Sequence, residues 1–93
     1  METKGITTHL TLKRPYYDAI AKGTKKKEFR DGSNPYYDKK FAQKIDYIVF
    51  HCNSSVMKVE VTGIVKDKRQ NMYVIGLGRI VSNSDEEPKE GKQ

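Results

Sequence analysis

Three β-rich runs follow one another in the C-terminal half of this chain with nothing helical between them, and they restrict the fold more than any other feature. "KIDYIVFHC" has an almost unbroken apolar centre, the pattern of a strand covered on both faces, and it ends at the turn "NSS". "VMKVEVTGIV" alternates Met57, Val59 and Val61 against Lys58, Glu60 and Thr62, with Gly63 placed to mark a bulge or a bend. After the loop "KDKRQN", "MYVIGLGRIV" is aromatic and β-branched, and Gly76 and Gly78 mark points where backbone approaches closely or the sheet coils.

The N-terminal half supplies two more strands and two short helices. In "ITTHLTLK", Ile6, Thr8, Leu10 and Leu12 fall on one side and Thr7, His9, Thr11 and Lys13 on the other, which predicts a half-buried strand. "RPYYDAIAKG" reads as a helix: Pro15 suits its first turn, Tyr16 and Ile20 sit one turn apart, Asp18 can pair with Lys22, and Gly23 can close the C-terminus. "KKKEFR" is a strand, "DGSN" a turn, and Asn34 the cap of a second helix in "PYYDKKFA". "PYYD" occurs twice, but the flanking residues differ, so it marks two similar helix openings.

This order predicts an α+β fold: a barrel-like sheet of about five mostly antiparallel strands with two short helices, curled to protect its edges. The chain of 93 residues has room for one domain, expected over residues 1–81, with a mobile polar tail over 82–93. The net charge is +6; the tail holds four acidic and two basic residues, so the remainder stands at +8. Such a surface favours anionic partners. The single cysteine, Cys52, excludes an internal disulfide, and His9, His51 and Cys52 lack metal-ligand spacing, so no metal and no cofactor is expected. Without a signal-like apolar run or a membrane span, the expected location is the cytoplasm.

Strict alternation in "KKKEFR" puts Lys26, Glu28 and Arg30 on one face and Lys25, Lys27 and Phe29 on the other. The expectation is that Phe29 enters the core while Glu28 and Arg30 pair at the floor of a cleft, with Arg30 offering its planar fork to a phosphate or a base edge. Lys25 joins that cleft if a turn or bulge precedes the strand. Lys13 and Arg14 would extend a phosphate track beside it, and Lys39, Lys40, Lys66, Lys68 and Arg69 would form a rim. One tyrosine of each pair, Tyr16/Tyr17 and Tyr36/Tyr37, is expected to pack inward and the other to stack on an unpaired base; Tyr17 is the candidate ligand in the first pair.

The segment "HLTLKRPYYDAIAKGTKKKEFRD" resembles the opening of an ASCH domain, a member of the PUA-like barrel superfamily. Gly23, Lys25, Glu28 and Arg30 fill its G-x-K-x-x-E-x-R pattern, "YVIGLGRI" resembles its closing strand, and the likeness spans about residues 6–81. The resemblance implies a basic cleft for RNA or a modified nucleobase, with the lysine, glutamate and arginine near its floor. Some relatives are amidohydrolases that deacylate a modified cytidine nucleoside through a lysine, a threonine three positions later and a distant glutamate. Here Glu28 stands where the threonine would, and "KDKRQN" replaces the helical insertion that carries the distant glutamate.

Three functions are thus expected, in this order. The first is binding of RNA or single-stranded nucleic acid by Lys25, Arg30, Lys13, Arg14, Lys26 and Tyr17, with Glu28 ordering the cleft. The second is a small hydrolase, an amidohydrolase or ribonuclease, with Lys25 and Glu28 as catalytic residues acting on an acylated cytidine or on RNA. The third is a basic protein-interaction module. A lysine base must be neutral, whereas a carboxylate three residues on stabilises the ammonium, which suits an anion ligand better.

Overall fold

In the computed structural model, which describes residues 6–84, the alternation of the first run becomes β1 (Thr7–Thr11), with Thr8, Leu10 and the following Leu12 buried. α1 (Arg14–Lys22) begins with Pro15 in its first turn and ends at Gly23, whose φ of 85° is the left-handed conformation glycine adopts without a Cβ penalty. Its buried stripe is Tyr17 and Ile20, three residues apart, while Tyr16 is half exposed. Asp18 pairs with Arg14 at 3.1 Å, not with Lys22, because the first turn of the helix already carries a partner at i−4.

β2 (Lys27–Asp31) leads through a turn, in which the Ser33 hydroxyl and main-chain N–H both donate to Asp31, into α2 (Pro35–Lys40). Those two bonds, the hydroxyl's first, hold the Asp31 carboxyl below its ordinary range. Asn34 caps α2 as expected, accepting from the Tyr36 N–H at 2.9 Å.

β3 (Tyr47–Cys52), β4 (Ser55–Asp67) and β5 (Met72–Asn83) complete a five-stranded sheet in the order β1-β3-β4-β5-β2. β1 runs parallel to β3, and the other pairings are antiparallel. The sheet curls into a half-barrel with the two short helices, the architecture the element order predicts. Curling has a local cause: the register between β4 and β5 shifts repeatedly from Lys58 to Gly63. There Gly76 faces Thr62 so closely that an added Cβ would lie 2.4 Å from the hydroxyl oxygen.

The core fills the concave side, where Ile48, Phe50, Met57, Val59 and Ile75 are fully buried beneath Tyr17 and Ile20 of α1. Each such Ile, Val, Met or Phe side chain contributes about 1.5 to 3 kcal/mol through removal from water. Two expectations need correction. β5 continues beyond residue 81: Ser82 and Asn83 pair with Lys58 and Met57, the Ser84 N–H donates to the Val56 carbonyl at 2.9 Å, and Asn83 accepts from the Tyr17 hydroxyl at 3.0 Å. The domain therefore extends to Ser84, and the rest of the expected tail, 85–93, lies outside the described residues. The second correction concerns β2, where Glu28 is buried at 6% exposure and Phe29 is 45% exposed, so the strand turns its charged face inward.

Candidate nucleic-acid interface

The inward turn of β2 has a structural cause in the two edges of the half-barrel. β1 and β2 are the outermost strands of the sheet, and Arg30 spans from one to the other: its Nη2 donates to the Thr11 carbonyl at 2.9 Å. Its Nε donates to Glu28 at 2.7 Å and its Nη1 to the Tyr37 hydroxyl at 3.0 Å, so a single guanidinium ties β2 to β1 and to α2. Such a strut needs its counter-charge inside the fold, which explains why Glu28 is buried and Phe29 is not.

Lys25 completes the set. After Gly23 the chain folds back on the helix end, where the N–H groups of Thr24 and Lys25 both donate to the Ala19 carbonyl, and the ladder of β2 begins only at Lys27. That turn frees Lys25 from strand alternation and brings its Nζ to 3.5 Å from Glu28. Glu28 thus holds Lys25 with one carboxylate oxygen and Arg30 with the other. The expected grouping of Lys25, Glu28 and Arg30 is present.

The Lys25 ammonium also lies over two rings, 5.7 Å from the centre of Tyr16 and 5.4 Å from that of Phe29. These rings are 51% and 45% exposed, and with Lys25 and Glu28 they line a shallow hollow of about 300 Å³. On its other side Lys25 lines a second hollow of about 220 Å³ with Lys26, Gly78 and Arg79. Two exposed rings, three cations and a buried carboxylate acceptor thus share one neighbourhood.

No protein-family model and no curated protein sequence matches the chain.

Other expected residues take different places. Tyr17 is fully buried, with the Arg14 guanidinium 5.0 Å from its ring centre, so it has no face to offer a base. Tyr16 is the exposed ring of that pair. Arg14 donates to Asp18 and to the Ser55 hydroxyl, both at 3.1 Å, and thereby staples α1 to β4 instead of continuing a phosphate track. Lys13 is exposed at the N-cap of α1, one turn before Tyr16. In the expected rim, Lys40 donates to Thr8 at 3.0 Å and Lys66 lies 3.6 Å from Asp38, while Lys39, Lys68 and Arg69 are exposed.

Asp38 and Tyr73 form a further polar contact at the same end of the sheet, hydroxyl to carboxylate at 2.5 Å. That bond holds the Asp38 carboxyl below its ordinary range against the opposing effect of desolvation, with Lys66 assisting, and it pushes the Tyr73 phenol up. Beside it Tyr37 stacks on Phe41 and Phe41 meets Tyr73 edge to face, which fixes α2 against β5 and thereby positions the Tyr37 hydroxyl for Arg30.

Three residues of this region differ from the ligands expected from the sequence: Tyr16, exposed where Tyr17 is the candidate, Phe29, expected in the core, and Arg79. Exposure decides the first two, and exposure depends on which face of β2 and of α1 is turned inward. Arg79 is distant in sequence and reaches the Lys25 side only through the β2–β5 ladder.

Proposed function

We propose that this chain is an ASCH-like nucleic-acid-binding domain that holds RNA or single-stranded nucleic acid against the Lys25 face. The observation that carries the reading is the slot in which two half-exposed rings, Tyr16 and Phe29, flank Lys25 above the buried Glu28. Aromatic platforms accept any base by stacking, and adjacent cations neutralise the phosphates on either side. Lys26 continues the positive surface past Lys25 beside Arg79, whose guanidinium pairs with Glu60 at 3.2 Å, and Lys13 is exposed before Tyr16. In this assignment Arg30 acts by holding Glu28 and the strand edges in place. Binding of a fluorescent unstructured oligonucleotide, titrated at increasing salt, tests the reading: affinity should fall linearly in log–log form, and absence of binding at low salt would exclude it.

A second reading is favoured by the Lys25 to Glu28 contact of 3.5 Å within a hollow large enough for a small ligand. It is a hydrolase acting on an acylated cytidine or on RNA, with Lys25 as the essential group. Incubation of both substrates with wild type and Lys25→Ala separates the two, because equal background turnover rules out catalysis through Lys25.

A further inference from the structure

His9 on β1 and His51 on β3 come together across the parallel ladder, His9 Nδ1 lying 2.8 Å from His51 Nε2. At that distance one nitrogen donates and the other accepts, so a single proton occupies the contact. In the neutral pair one of the two outward nitrogens carries a proton and the other a lone pair. Adding one proton there keeps the contact, gives the pair a positive charge and turns both outward nitrogens into donors. A further proton would put N–H against N–H and break it.

The pair lines a hollow of about 230 Å³ with Thr11, Arg30, Tyr36 and Tyr37. Arg30 uses one N–H on each of its three nitrogens for Glu28, Tyr37 and Thr11, which leaves a second N–H on each terminal nitrogen. Arg30 is the charged side chain that lines the hollow beside the histidines, and among the described residues no carboxylate lines it. β2 contributes Arg30, with Glu28 behind it, and α2 contributes Tyr36 and Tyr37, while the Lys40 ammonium lies outside the lining, bonded to Thr8 at 3.0 Å and 5.0 Å from the Tyr36 ring centre. Glu28 already has a cation on each oxygen.

We propose that this hollow binds a tetrahedral oxyanion and takes up one proton on the His9/His51 pair as it does so. On the nucleic-acid reading above, on which the identity of the natural ligand rests, the oxyanion is a backbone or terminal phosphate. Linkage fixes the sign: an anion that prefers the charged pair must raise the pH at which the pair protonates, and must itself bind more tightly as pH falls.

The test is to follow the histidine ring resonances of the whole chain by NMR from about pH 8 to 5, the range in which imidazoles change charge, in sulfate and in chloride of equal ionic strength. Sulfate keeps its charge across that range. The expected result is a higher midpoint for both rings in sulfate, with about threefold or greater tightening of sulfate between pH 7.5 and 5.5. Identical midpoints in the two salts would overturn the site, as would an undiminished response in His9→Gln. Oligonucleotides with and without a 5′ phosphate, compared at both pH values, identify the source: tightening in both indicates a backbone phosphate, and tightening in the phosphorylated one alone a terminal phosphate. Failure of every oligonucleotide to bind, with the sulfate response intact, refutes the nucleic-acid reading and leaves the oxyanion site standing.

Discussion

Arg30 Nη2 donates to the Thr11 carbonyl at 2.9 Å, so the two outer strands of the sheet are joined by a side chain where a closed barrel would have a ladder. The bond makes one residue responsible for both the shape of the fold and the burial of Glu28. Removing it leaves a carboxylate 7% exposed with Lys25 as its remaining cation. Arg30→Met should therefore cost about 3 to 5 kcal/mol in urea unfolding. Glu28→Leu combined with Arg30→Met should recover much of that loss, because the buried carboxylate is then gone and Lys25, whose side chain is 20% exposed, can reach water. Simple additivity of the two single changes would contradict the strut.

Tyr16 and Tyr17 are neighbours with opposite roles, and alanine substitution separates them. Tyr17→Ala removes a fully buried ring and should lower stability by about 3 to 5 kcal/mol. Tyr16→Ala and Phe29→Ala remove half-exposed rings, so urea midpoints should change little while oligonucleotide binding weakens by about 1 to 3 kcal/mol for each ring. Wild-type binding by both Tyr16→Ala and Phe29→Ala at unchanged stability would remove the stacking slot.

The neighbouring pair also shows what the sequence conveys and what it withholds. Alternation along β2 places Glu28 and Arg30 together, and their bond is as expected, but alternation is silent on which face is inside. Hydrophobicity favours Phe29 for the interior; the need to join β1 to β2 through Arg30 overrides it. In α1 the same limit applies to helix phase, since Tyr16 and Tyr17 are each within one turn of Ile20. Element order, both caps and the bulge at Gly63 were legible because they depend on residues close in sequence. The His9 to His51 contact and the approach of Arg79 to Lys25 depend on strand neighbours distant in the chain, which composition does not specify.

Stability should depend on pH at both extremes through Asp38 and Tyr73. The Asp38 carboxyl is lowered in the fold, so its contribution is present above the ordinary value of 3.8 and is lost as pH falls through the folded value. The Tyr73 phenol is raised, so its contribution is complete below the ordinary value of 10.0 and is lost as pH rises through the folded one. Tyr73→Phe removes the bond responsible for both shifts. The difference in urea midpoint between wild type and Tyr73→Phe should be widest at neutral pH and narrow towards each end; a difference constant with pH would contradict the assignment.

A chain ended at residue 81 should unfold at lower urea than one ended at 84. The longer chain keeps the Tyr17 hydroxyl bond to Asn83 and the closing bond from Ser84 to Val56, each worth about 1 kcal/mol. Equal midpoints would show that the end of β5 adds nothing.

The account as a whole is tested most directly by fluorescence anisotropy of a labelled, unstructured oligonucleotide with wild type and with a Tyr16→Ala, Phe29→Ala double variant, at stepped salt concentrations. The prediction is binding at low salt that weakens linearly in log–log form, together with loss of about tenfold or more in the double variant at every salt concentration. Absence of binding by wild type at the lowest salt, or identical curves for the two proteins, would contradict it.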